Sequence, residues 1–114
     1  MPSFHNLSGT HGTTTPVTLL LGPDVGAYLV RLITLHNPAS NSAAPFIIQR
    51  VVPDELQTER EVILWDDSIA AGGTWSVGTL GAYTTLEPAQ RLELVLDAAE
   101  LTPISWSLDY VTTP

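Results

Sequence analysis

The chain has 114 residues, no cysteine, and twelve acidic against four basic residues, for a net charge of −8. That length makes one domain with a single core, and the missing cysteines exclude a disulfide framework and any cysteine-based metal site. The basic residues are Arg31, Arg50, Arg60 and Arg91, with no lysine; scattered this way they cannot build the stripe that a phosphate backbone or an anionic membrane needs, so neither nucleic acid nor membrane is an expected partner.

Residues 1–13 are small and polar, broken by Gly9 and Gly12, and read as an N-terminal arm, with a β-sandwich domain over 14–114. Met1-Pro2-Ser3-Phe4-His5 has neither the basic nor the apolar stretch of a signal peptide. No apolar run approaches the ~18 residues of a membrane span, so synthesis in a cytoplasm is expected. A first strand fits Thr14 to Leu21, stopped by Gly22-Pro23-Asp24. A second fits Ala27 to Leu35, with Tyr28, Val30 and Leu32 on one face and Leu29, Ile33 and Leu35 on the other, Arg31 among them. Apolar residues on both faces indicate a central strand with protein on either side.

Residues 37–45 read as a plain loop, and Phe46 to Val52 as a third strand ended by Pro53. Residues 53–61 are the one place for a helical turn, with Pro53 at its first position, though a solvated acidic loop of Asp54, Glu55, Glu59 and Glu61 fits as well. Val62 to Trp65 is a short apolar strand and Asp66-Asp67-Ser68 a turn. Thr74 to Val77 and Tyr83 to Leu86 are short strands. Arg91 to Asp97 and Ile104 to Val111 alternate cleanly, which places Leu92, Leu94, Leu96, Ile104, Trp106 and Leu108 inward, and Glu93, Ser105 and Ser107 outward or toward a partner. About eight short strands with regular turns and no long helical period imply an all-β, single-domain sandwich, jelly-roll or Greek-key.

Chemistry-bearing patterns are sparse. His5, His11 and His36 share no metal-ligand spacing and read as surface or capping residues. Asp66-Asp67 lacks the spaced oxygen ligands and turn glycine of a calcium loop. The serines sit in no Gly-x-Ser-x-Gly elbow, and Gly72-Gly73-Thr74 precedes no lysine. No catalytic residue, metal or cofactor is expected. Trp106 reads as core and Trp75 as either core or an exposed platform for a sugar. What remains is assembly. A lysine-free surface suits packing, since interfaces are depleted in lysine and use arginine. Phe4 and Leu7 are the apolar anchors of the arm, and with Tyr28 and Arg31 on the central strand they form the candidate partner interface.

The order of elements resembles small β-sandwich virion proteins of tailed bacteriophages. The resemblance runs over residues 27–110, through Tyr28-Leu29-Val30-Arg31-Leu32-Ile33-Thr34-Leu35 closed by His36-Asn37-Pro38, then Ile69-Ala70-Ala71-Gly72-Gly73-Thr74, then Leu86-Glu87-Pro88-Ala89-Gln90-Arg91-Leu92-Glu93-Leu94. It departs where that family often has a Gly-Asp pair, a turn held here by Ala89-Gln90. It implies a non-enzymatic virion protein made in the host cytoplasm. The first reading is a capsid decoration (cement) protein, a homo-oligomer, most simply a trimer at three-fold positions, bound to the major capsid protein. The alternatives are a minor tail or head–tail connector component, or a carbohydrate- or ligand-binding module.

Overall fold

The computed structural model describes residues 4–53, 58–78 and 84–113. The strands are β1 (Phe4–His11), β2 (Val17–Leu21), β3 (Ala27–His36), β4 (Ala44–Pro53), β5 (Glu59–Ile69), β6 (Thr74–Val77), β7 (Thr84–Leu86), β8 (Arg91–Leu96) and β9 (Ile104–Thr113). One sheet runs β1-β9-β3-β6, with β7 also on β3; the other runs β2-β8-β4-β5. The protein is an all-β sandwich of two antiparallel sheets.

The winding is a nest of hairpins. β4 pairs with β5, β3 with β6 and β7, β2 with β8, and β1 with β9, all antiparallel. The chain is thus one long hairpin with its tip between β4 and β5, rolled so that successive pairs fall in opposite sheets. The pairs β3–β9 and β4–β8 close each sheet. Between the sheets lie Leu19, Val30, Ile33, Leu35, Phe46, Ile48, Leu86, Leu92, Leu94, Leu96, Ile104 and Leu108, all buried.

The alternation of β8 and β9 is visible in this core. Leu92, Leu94, Leu96, Ile104 and Leu108 are fully buried, and Trp106 packs against them half-buried. Glu93 faces outward yet is 7% exposed, because Gln49 donates to it at 2.9 Å and Arg91 at 2.7 Å.

Four readings of the sequence change. The region taken as an arm over 1–13 supplies β1, paired with β9 at every position from Phe4↔Val111 to His11↔Ile104. Its pattern is hidden because an inward position is Gly9, where a Cβ would meet the Trp106 indole at 2.8 Å; the tryptophan fills the space a side chain would take. In β3 the register slips between Val30 and Leu32, so Arg31 is extruded as a bulge. One extra residue moves all that follows to the other face. Tyr28, Val30, Ile33 and Leu35 therefore face the core while Leu32 is 38% exposed outside, whereas strict alternation groups Leu32 with Tyr28 and Val30 and sets Ile33 and Leu35 on the opposite face.

Asp66, Asp67 and Ser68 are inside β5 rather than in a turn. Finally, β4 runs to Pro53 and β5 starts at Glu59, so the helical turn suggested over 53–61 is strand at both ends; Asp54 and Glu55 lie outside the described residues, as does Tyr83.

The loop read over 37–45 ends at 43, where β4 begins, and it is more than a spacer. Asn37, fully buried, donates through its amide to the Ser42 and Ile69 carbonyls at 2.8 and 3.1 Å, and accepts from Asn41 at 2.9 Å. Asn41 in turn donates to the Thr102 carbonyl at 2.7 Å and accepts from its N–H at 2.8 Å. Two asparagines thereby lock three connections at one end of the sandwich.

Candidate interaction surface

The outer face of the β1-β9-β3 sheet is built from register. Phe4, Val111 and Leu29 lie side by side across its three strands, and Asn6, Asp109 and Leu32 form the next row. Phe4 is 69% exposed. The Arg31 bulge throws its guanidinium over the Phe4 ring, 5.4 Å from the centroid, a cation–π contact. Asn6 donates to Asp109 at 2.5 Å, so that carboxylate is occupied within the row. A concavity of about 560 Å³ lies among Phe4, His5, Asn6, Arg31, Leu32 and Asp109.

Behind this face, at the same end of the sandwich, His5 stacks on Tyr110 at 4.9 Å, and Tyr110 meets Tyr28 at 4.8 Å. Burial, and secondarily the Tyr28 phenol, hold the Tyr110 phenol above its usual pKa. Of the four residues singled out as a partner interface, the fold brings Phe4 and Arg31 together. Leu7 lies on β1 but on the core-facing side, 36% exposed at the rim, and Tyr28 is half-buried beside Tyr110. Leu29 and Leu32 complete the apolar surface, with Val111 buried between Phe4 and Leu29. The signal for Leu29 and Leu32 was the two-faced apolar character of their strand; Val111 gave none, since its neighbours belong to other strands.

The opposite sheet presents a different exterior. Arg91 on β8 reaches across β4 to form an ion pair with Glu59 on β5 and a second, at 2.7 Å, with Glu93. The hydrogen bond from Arg91 holds the Glu59 carboxyl below its usual pKa against a smaller opposing effect of desolvation, while its two carboxylate partners raise that of Arg91. Beneath this clamp Val51, the β4 partner of Arg91, is buried on the outer face.

The remaining candidates have structural roles. His11 Nε2 donates to the Thr15 carbonyl at 2.7 Å, and His36 Nδ1 bonds the Thr74 hydroxyl at 3.1 Å. Asp67 accepts from the Ser68 N–H at 2.8 Å and from the Trp75 indole at 3.0 Å. Trp75 is set edge-on to Phe46 at 71° and to Trp65 at 69°. These half-buried, mutually crossed rings do not present the coplanar platform that stacks on a sugar. Among the described residues no three His, Asp or Glu side chains converge on a metal position.

No protein-family model and no curated protein matches the chain. Among solved structures it is similar to a chain of the T13 IBDV viral particle, at 12% identity and a TM-score of 0.49, over 97% of this chain and 31% of that one. This chain thus spans about a third of the length of that neighbour.

Proposed function

We propose that this protein is a non-enzymatic structural component of a tailed-phage virion, a capsid decoration protein that binds the assembled head and stabilises it. The observation that carries this reading is the outer face of the β1-β9-β3 sheet. There the exposed Phe4 and Leu32 and the partly exposed Leu29, with Arg31 over the Phe4 ring, form an apolar patch on a chain that has no lysine to keep partners away. The nested hairpin winding supports a jelly-roll reading of the sandwich, an architecture used by capsid proteins, lectins and cupins, which is compatible with the role. A body measuring 42 × 35 × 20 Å is a thin slab that can lie flat on a shell. Binding to the assembled lattice but not to its free subunits stabilises the shell by mass action. The partner is then the major capsid protein, and a minor tail or head–tail position would use the same face.

The test is sedimentation of the purified protein with and without assembled shells. The protein should co-sediment with shells and raise their resistance to heat, and Phe4→Ser should weaken binding by about tenfold or more, as loss of an exposed aromatic anchor does. Added salt should change binding little, since among the described residues of the face Arg31 already lies over the Phe4 ring and the Asp109 carboxylate is bonded to Asn6. A protein that ignores shells but binds a sugar would replace this reading with a carbohydrate-binding one.

A further inference from the structure

We propose that β1 is the edge through which two copies of this chain pair, antiparallel and across a two-fold axis, so that their β1-β9-β3 sheets become one continuous sheet. This contact is between copies and stands whether or not shells are bound.

The sandwich has four sheet edges, and three are blunted. β2 has five residues and a bulge at Leu19. The β6/β7 edge is split into pieces of four and three residues. β5 is eleven residues long but bulges at Leu64 and carries Glu59, Arg60, Glu61, Asp66 and Asp67. Short length, bulges and charges are the devices that stop an edge from recruiting another strand. β1 has none of them. Its eight residues are Phe-His-Asn-Leu-Ser-Gly-Thr-His, without Asp, Glu, Lys, Arg or Pro, and its pairing to β9 is unbroken.

Charge points to a second copy as the occupant. Two bodies of net charge −8 repel wherever their carboxylates meet. Approach through β5 would set Glu59, Glu61, Asp66 and Asp67 against their own images. Approach through β1 brings together two uncharged strands, and the nearest carboxylate, Asp109, is held by Asn6.

Side-chain parity sets the register. His5, Leu7, Gly9 and His11 face the core side, so a continuous sheet needs odd positions opposite odd positions. Centring the pair on Leu7 places Leu7 opposite its own copy and Gly9 opposite His5, and covers the leucine that one chain leaves 36% exposed. The area is modest. Eight residues at ~3.4 Å each, over a slab 20 Å thick, give a footprint of roughly 500 Å² per copy, near the ~1,000 Å² total at which specific interfaces begin. The pair should therefore be concentration-dependent, and two-fold rather than the trimer suggested by three-fold shell positions.

Because the chain lacks cysteine, single cysteines report the contact directly. On mild oxidation the Leu7→Cys variant should form a disulfide-linked dimer at least about tenfold faster than the Ile63→Cys variant on β5, as expected where Cβ atoms sit close across paired strands. In sedimentation equilibrium the unmodified protein should pass from monomer to dimer with concentration. Ser8→Lys, whose fold is checked by its near-ultraviolet circular dichroism, should suppress that dimer, while Leu101→Lys on the β8–β9 connection should leave it intact. Equal cross-linking at both positions, a strict monomer, a trimer, or a dimer indifferent to Ser8→Lys would each overturn the pairing. A monomer that still binds shells would overturn this inference and leave the decoration role standing; a dimer that ignores shells would do the reverse.

Discussion

The two long edge strands, β1 and β5, face the same physical problem and treat it differently. Each leaves a row of backbone N–H and C=O groups with no strand beyond it among the described residues. On β5 that row is flanked by five charged side chains, bent by a bulge at Leu64, and tied back to the sheet by the Arg91–Glu59 ion pair. On β1 it is flanked by uncharged residues, unbroken by any bulge, and bordered by the exposed Phe4. A sequence that spends charge on one edge and none on the other distinguishes a side that must stay in solvent from a side free to be covered. β1 adjoins the apolar patch of Phe4, Leu29 and Leu32, so the proposed self-pairing and the proposed shell binding draw on one end of the molecule.

The largest expected effect separates the two edges by what lies beneath them. Leu108, the β9 partner of Leu7, is fully buried, whereas Ile63 on β5 is 57% exposed. Leu108→Ala should lower stability in urea by about 2–5 kcal/mol, and Ile63→Ala by no more than about 0.5 kcal/mol. Similar losses from both would mean that β1 and β5 are equally peripheral, and the comparison would fail.

Next comes the clamp on the β5 side. Arg91→Met leaves Glu93, nearly buried, without its charged partner and should cost about 1–3 kcal/mol, the range for hydrogen bonds to charged groups. The acid side adds a sign. The Glu59 carboxyl titrates below its usual value when folded, so its contribution is present above the unfolded pKa, near 4.3, and is lost as pH falls through the lower folded one. The gap in melting temperature between Arg91→Met and the unmodified protein should then narrow below about pH 4. A gap constant from neutral pH to pH 3 would show that the ion pair does not hold this edge.

The smallest effect is at a turn belonging to neither edge and calibrates the other two. Ala89 has φ of 66° in the Glu87–Gln90 turn, closed by a 3.1 Å bond from the Gln90 N–H to the Glu87 carbonyl. Glycine adopts that conformation without steric cost, so Ala89→Gly should stabilise the fold, by about 1 kcal/mol at most once its greater unfolded-state freedom is counted. A loss of stability in the same urea series would show that the strain is not where the dihedral places it.

Part of the fold is legible along the chain because alternation is a local property. Arg91-Leu92-Glu93-Leu94-Val95-Leu96 and Ile104-Ser105-Trp106-Ser107-Leu108 state their inward faces without reference to any partner, and the absence of a helical period leaves only a sandwich or barrel. The acidic, lysine-free composition is equally local, and with it the expectation that no basic stripe forms.

What only the tertiary structure decided depends on neighbours distant in sequence. β1 carries too few large residues to announce itself, and becomes a strand because β9 pairs with it about a hundred positions away, as the register Leu7↔Leu108 shows. The Arg31 bulge exists only relative to β9, yet it exchanges the faces of Leu32 and Ile33 and sets Arg31 over Phe4. Asn37 looks like any loop asparagine until the carbonyls of Ser42 and Ile69 converge on it. In each case the deciding energy is a contact between segments, and a contact between segments has no period to be read along a single strand.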